Sequence, residues 1–169
     1  MGQYYKAVNV ETMESLHPHS YDNGAKLMES SYIGNNFVEQ VCAMLSPEMS
    51  WHKSPIVWAG DYMDNGLYGV PNDMTLYSES SEITPRNEYD KIYNIVVNHS
   101  KKEYVVLPEY NEDEWQIHPL PLLTCSGNGR GGGDYRGDNP NVGIWAGDVI
   151  SMEQEAPEGY NELVTTFEE

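Results

Sequence analysis

Lys91-Ile92-Tyr93-Asn94-Ile95-Val96-Val97 and Glu103-Tyr104-Val105-Val106-Leu107, joined by Asn98-His99-Ser100-Lys101-Lys102, are the stretch on which the fold turns. Both arms are rich in β-branched and aromatic side chains, and the connector is short and polar. That pattern predicts an antiparallel hairpin. The N-terminus has the same character. Tyr4-Tyr5-Lys6-Ala7-Val8-Asn9 reads as a strand, and Glu11 to Leu16 returns as its second arm.

Further matches recur in the same order. Val-Asn is followed by Glu, then by His-Pro (17–18 and 118–119), Asn-Gly (23–24 and 128–129) and Trp-Ala-Gly-Asp (58–61 and 145–148). The exact tetrapeptide contains Trp, so chance is a poor explanation for it. The chain reads as a single domain, 1–169, of two pseudo-repeated half-units, roughly 1–85 and 86–169. The alternative is that only the Trp-Ala-Gly-Asp match has meaning.

Between the hairpins, Gly24 to Leu45 places Leu27, Met28, Phe37, Val38, Val41, Met44 and Leu45 at helical spacing, and Pro47 ends the run. Gly34-Asn35-Asn36 is expected to divide it into two short helices. Pro55 to Tyr62 reads as a strand. Residues 64–84 read as an irregular insertion with one short helix at its end. Trp115 to Cys125, with Pro119 and Pro121, is expected to be extended at a sheet edge. Val142 to Met152 is the last strand, and a short helix is expected in the acidic tail after Pro157. The expected class is α+β: a mainly antiparallel sheet with one or two short helices on one face.

Composition narrows the function. Nine Lys and Arg against twenty-seven Asp and Glu give a net charge of −18. A field of that sign repels nucleic acid and anionic membrane and attracts basic protein surfaces. Glu109, Glu112, Asp113 and Glu114 form one acidic cluster. Glu153, Glu155, Glu158 and Glu162 lie in a tail free of Lys and Arg. Both sets are candidate partner-binding residues. Cys42 and Cys125 have no metal-like spacing and read as buried thiols, which suits a reducing compartment. The polar start predicts no signal peptide, and no window has the length of a membrane span. A cytoplasmic location in a bacterial host cell is expected, and the thirteen Tyr make a homodimer compatible with the composition.

Candidate chemistry centres on the glycine-rich stretch from Gly127, where Asn128, Gly129, Arg130, Gly131, Gly132, Gly133 and Asp134 precede Arg136. Such a segment loses much backbone entropy on ordering. A ligand approaching the backbone closely, with N–H groups forming an anion nest and the two Arg adding charge, would justify it. A structural loop whose Arg residues pair with the abundant carboxylates is the plainer reading. The stretch lacks the ending of a Walker loop and the helix of a dinucleotide fingerprint. Asp61 and Asp148 follow the two Trp-Ala-Gly copies. They read as turn caps, or as an acid–base or metal pair. Trp58 and Trp145 read as core anchors, or as platforms for a stacked base. His17, His19 and His118 stand beside prolines with no third or fourth metal ligand at a recognisable spacing. No catalytic signature is present, so no catalytic residue, metal or cofactor is assigned.

Taken together, Met1 to Tyr5, Gly24 to Glu29, Trp58 to Tyr62 and the glycine block leading to Trp145–Asp148 resemble a protein family of bacteriophages and bacterial genomes, gut-type Firmicutes and actinobacteria among them. The resemblance covers about half the chain and brings no reaction with it. It implies a mobile-element context, in which small acidic proteins often inhibit host defence. The expected function is therefore a non-enzymatic accessory protein that inhibits or sequesters a basic host or defence protein through its acidic surface. A binder of a nucleotide-like anion in the glycine-rich stretch is the alternative. A hydrolase built on Asp61, Asp148 and His17 or His118 comes third.

Overall fold

The hairpin expected at residues 91–107 sits inside one eight-stranded sheet. A computed structural model of the chain describes residues 3–126, 135 and 139–164. In chain order the strands are β1 (Tyr5–Asn9), β2 (Glu14–Leu16), β3 (Ser54–Gly60), β4 (Ser81–Glu82), β5 (Ile95–Asn98), β6 (Glu103–Val106), β7 (Val149–Glu153) and β8 (Asn161–Glu162). The described helices are α1 (Leu27–Ser30), α2 (Asn36–Leu45), α3 (Leu76–Glu79) and α4 (Pro119–Thr124), with a 3-10 turn at Pro18–Tyr21. The class is α+β. The sheet is mixed rather than mainly antiparallel, because the outermost strands pair in parallel, β4 with β2 and β8 with β6.

The strand order β4-β2-β1-β3-β7-β5-β6-β8 has a pattern of its own. Read from either edge, it runs from a two-residue parallel strand, through a hairpin, to a strand at the centre. Hydrogen bonds match in pairs. Asn9 lies opposite Glu14 and Asn98 opposite Glu103. The Asn9 and Asn98 side chains both accept backbone N–H bonds within the hairpin turn. Met13 and Lys102, each just before the returning strand, both hold positive φ. Trp51 donates its indole N–H to Glu14 at 3.1 Å, and Trp145 donates to Glu103 at 3.2 Å. The central strands meet at Pro55 opposite Val149.

This pairing corrects the sequence alignment of the Trp-Ala-Gly-Asp copies. Trp58 lies within β3, opposite Ala7. Trp145 precedes β7 and makes the bond that Trp51, not Trp58, makes before β3. The tetrapeptides are therefore not topological equivalents.

Alternation along the strands sorts the core. Tyr5, Ala7, Ile56, Trp58, Val96, Ile150 and Met152 face α2 and α4. Val8, Val57 and Ala59 face Met63, Val70 and Leu76, so α3 covers the opposite face. The helices thus lie on both sides, not one. α2 packs on β7 and α4 on β3, so the two helices cover the central pair of strands.

Local chemistry sets these helices. Asn35 caps α2 by accepting the N–H groups of Phe37 (2.8 Å) and Val38 (3.3 Å). Gly34, at φ +90, makes the break that the sequence predicted. The stretch expected to be extended at 115–125 contains α4 instead. Pro119 stands at the first helical position and Pro121 still lies in the first turn. Neither N–H would have had an intrahelical partner there. The last strand is shorter than expected, with turns over 140–147, and β8 occupies part of the tail expected to be helical. No described helix is long and apolar enough to cross a membrane.

Candidate functional site

Residues 107–117 leave the sheet between β6 and α4. Leu107 N–H bonds to Asn94 at one end, and Ile33 N–H bonds to Gln116 at the other. Between these pins, residues 109–115 are all exposed. The turn is local: Asn111 accepts the N–H of Asp113 through its side chain (3.0 Å) and that of Glu114 through its carbonyl (3.1 Å). The segment carries Glu109, Glu112, Asp113 and Glu114, and among the described residues no Lys, Arg or His forms an ion pair with them. Two aromatics stand among these carboxylates, Tyr110 at 58% exposure and Trp115 at 50%. Trp115 rests against Tyr32, with ring centroids 6.2 Å apart.

Beside the loop lies a cleft of about 240 Å³, walled by Tyr89, Tyr110, Ile33 and Leu107. Glu39, Glu109 and Lys91 stand on its lining. His118 lies at its buried side, accepting Leu120 N–H at Nδ1 (3.1 Å) and placing Nε2 3.7 Å from Cys42 Sγ. Burial pushes the His118 pKa down to about 3 and pushes the Cys42 thiol up. Both groups are therefore neutral at pH 7. This pair cannot supply a thiolate nucleophile. A shallower, more polar groove continues past Tyr89 to Arg86 and Tyr21.

The other candidates are committed to the fold. Trp58 and Trp145 are fully buried and present no ring face to a ligand. Asp61 accepts the N–H of Tyr4 at 2.8 Å, a bond to the residue leading into β1 rather than the local turn cap expected. Asp148 holds Lys101 and the Asn98 amide. His17 caps the turn at Pro18 by accepting His19 N–H (3.0 Å), and its ring lies 4.5 Å from that of His19. His118 makes the same cap for α4. Among the described residues no group of three His, Cys, Asp or Glu is placed to hold a metal. Cys42 and Cys125 are buried thiols that form no disulfide with each other, as expected.

Asn128, Gly129, Arg130, Gly131, Gly132, Gly133, Asp134 and Arg136 lie outside the described residues. The approach to them is described. Ser126 donates its N–H to Trp58 and accepts from Gly60 N–H at 3.0 Å, so the first Trp-Ala-Gly-Asp anchors the segment that precedes the glycine block. In the tail, Glu155, Glu158 and Glu162 are exposed. Glu153 is bound to His52 at 2.6 Å and is only 19% exposed at its side chain.

Sequence reasoning missed the cleft, because Ile33, Glu39, Tyr89 and Tyr110 are far apart in the chain. The one available signal was the placing of Tyr110 and Trp115 inside an acidic run. No family model, no curated protein and no solved structure matches the chain.

Proposed function

We propose that this chain is a non-enzymatic binding protein that seats the acidic, aromatic loop 107–117 on a basic surface of another protein. The observation that carries the reading is the exposure of Tyr110 and Trp115 among four carboxylates that form no ion pair among the described residues. Trp and Tyr are over-represented among residues whose truncation costs an interface 2 kcal/mol or more. Surrounding charge of one sign steers the complementary partner and raises the association rate. In the bacteriophage setting implied by the sequence resemblance, the partner is a component of host defence, and occupying its basic groove inhibits or sequesters it.

We infer further that the chain consists of two repeated half-units, and that the loop is an addition to the second. In the first half His17 follows Leu16 directly. In the second, residues 107–117 separate Val106 from His118. The matched indole–Glu bonds and hairpin registers support this reading. Leu107 and Ile117 anchor the addition to the core, whereas 109–115 are exposed and carry two aromatics, so a partner is what gives that stretch its use.

The test is co-elution with purified basic defence nucleases. Wild type is expected to form a complex. A variant carrying Glu109→Gln, Glu112→Gln, Asp113→Asn and Glu114→Gln is expected to bind about thirtyfold more weakly, at roughly 0.5 kcal/mol per exposed charge. Undiminished binding by that variant would overturn the proposal.

A further inference from the structure

We propose that the cleft beside the loop receives an arginine or lysine side chain of the partner; the inference rests on the binding function just argued. The volume, about 240 Å³, lies below the range of small-molecule pockets and suits a single side chain. Its walls offer the aromatic face of Tyr110 and apolar surface for a long stem. Its rim offers the carboxylates of Glu39 and Glu109.

The chain already shows which chemistry the site accepts. The Lys91 ammonium lies 5.8 Å from the Tyr110 ring centroid and 3.9 Å from Glu39 Oε2, within reach of both an aromatic face and a carboxylate. It is held weakly, because its side chain is 69% exposed and the pair is long. A partner's guanidinium can take that place on better terms. It is planar, stacks on the ring, and donates two hydrogen bonds to one carboxylate, which an ammonium cannot do in that geometry. Nearby, Arg86 places its guanidinium 5.3 Å from the Tyr21 ring centroid, with a backbone carbonyl, that of Ser20 at 3.1 Å, as the acceptor in place of a carboxylate. Among the described residues that line the cleft, His118 stands on the buried side and is neutral there, so it does not oppose the incoming charge. Gly34 keeps the Tyr110 ring in position: a Cβ at Gly34 would overlap it.

The experiment is a titration of the full chain followed by amide NMR. Its probes are N-acetyl-arginine amide, N-acetyl-lysine amide and, as the uncharged isostere, N-acetyl-citrulline amide. Saturable shifts at Gly34, Glu39, Lys91 and Tyr110 with the arginine probe, in the millimolar range and absent with citrulline, are the expected result. Glu39→Gln is expected to weaken the arginine probe severalfold. Lys91→Ala is expected to tighten it about threefold, because a like charge is removed. Equal shifts with arginine and citrulline, no shifts with either cationic probe, or weaker binding by Lys91→Ala would each overturn the proposal. The two readings fail separately. A basic protein that binds wild type and Glu39→Gln equally removes the cleft and leaves the loop. Arginine capture with no binding of basic proteins leaves the cleft and removes the larger function.

Discussion

Acidification is expected to weaken this fold through His118, and the size of the effect follows from where that ring sits. It is buried, caps α4 through Nδ1, and faces Cys42 through Nε2. Protonation of Nδ1 would remove the acceptor that holds Leu120 N–H and place a charge in the core. Burial therefore holds the native pKa at about 3, below the ordinary 6.5. Because the native value lies below the unfolded one, the unfolded chain binds the extra proton as the pH falls. The contribution is complete above about pH 7 and is lost progressively toward pH 3. The loss is about 2 kcal/mol at pH 5 and about 4 kcal/mol at pH 3. Urea unfolding of wild type and His118→Asn near pH 7.5 and pH 5 isolates this term. Asn keeps a capping oxygen and does not titrate, so the cost of the substitution itself cancels between the two pH values. Wild type should lose about 2 kcal/mol more than the variant. Equal losses would refute the assignment of a neutral, buried His118.

Other expectations can be checked alongside it. Trp51→Phe and Trp145→Phe each delete an indole N–H bonded to a carboxylate, and each should cost about 1.5–3 kcal/mol in denaturant unfolding. A large difference between the two would speak against the equivalence of the half-units. Trp115→Ala should leave thermal unfolding nearly unchanged, because half the side chain is exposed, while weakening partner binding by about 2 kcal/mol in calorimetry. Gly34→Ala should destabilise the fold by about 1–3 kcal/mol, since it forces a side chain into positive φ and against Tyr110. If its unfolding curve matches wild type, the description of this cleft wall is wrong.

The strands of the two hairpins were legible in the sequence, because Tyr4–Asn9 and Tyr93–Leu107 are rich in aromatic and β-branched side chains and the connectors are polar. The break before α2 was legible too, since Gly34 and Asn35 are a left-handed residue and an N-cap in succession. α4 was not. Its prolines suggest an extended edge, and only the side-chain cap from His118 shows that they occupy the first turn of a helix. Composition also could not reveal that the outermost strands turn parallel. Two-residue segments such as Ser81–Glu82 carry no periodicity, and their pairing is set by the connections around them. Trp58 drew attention as part of a repeated word, yet Trp51 is the residue whose hydrogen bond Trp145 reproduces. A word match sees spelling, whereas equivalence in a sheet is set by register. The same limit hid the cleft, whose wall at Tyr110 belongs to a loop that reads as solvated charge.

The most direct test of the central claim is the association rate of the chain with a purified basic defence nuclease, measured across a series of salt concentrations. Wild type and the variant neutralised at 109, 112, 113 and 114 are compared side by side. The account predicts that the wild-type rate falls steeply with salt, and that neutralisation both lowers the low-salt rate about tenfold or more and flattens the dependence. A rate and salt slope unchanged by neutralising the loop would contradict it.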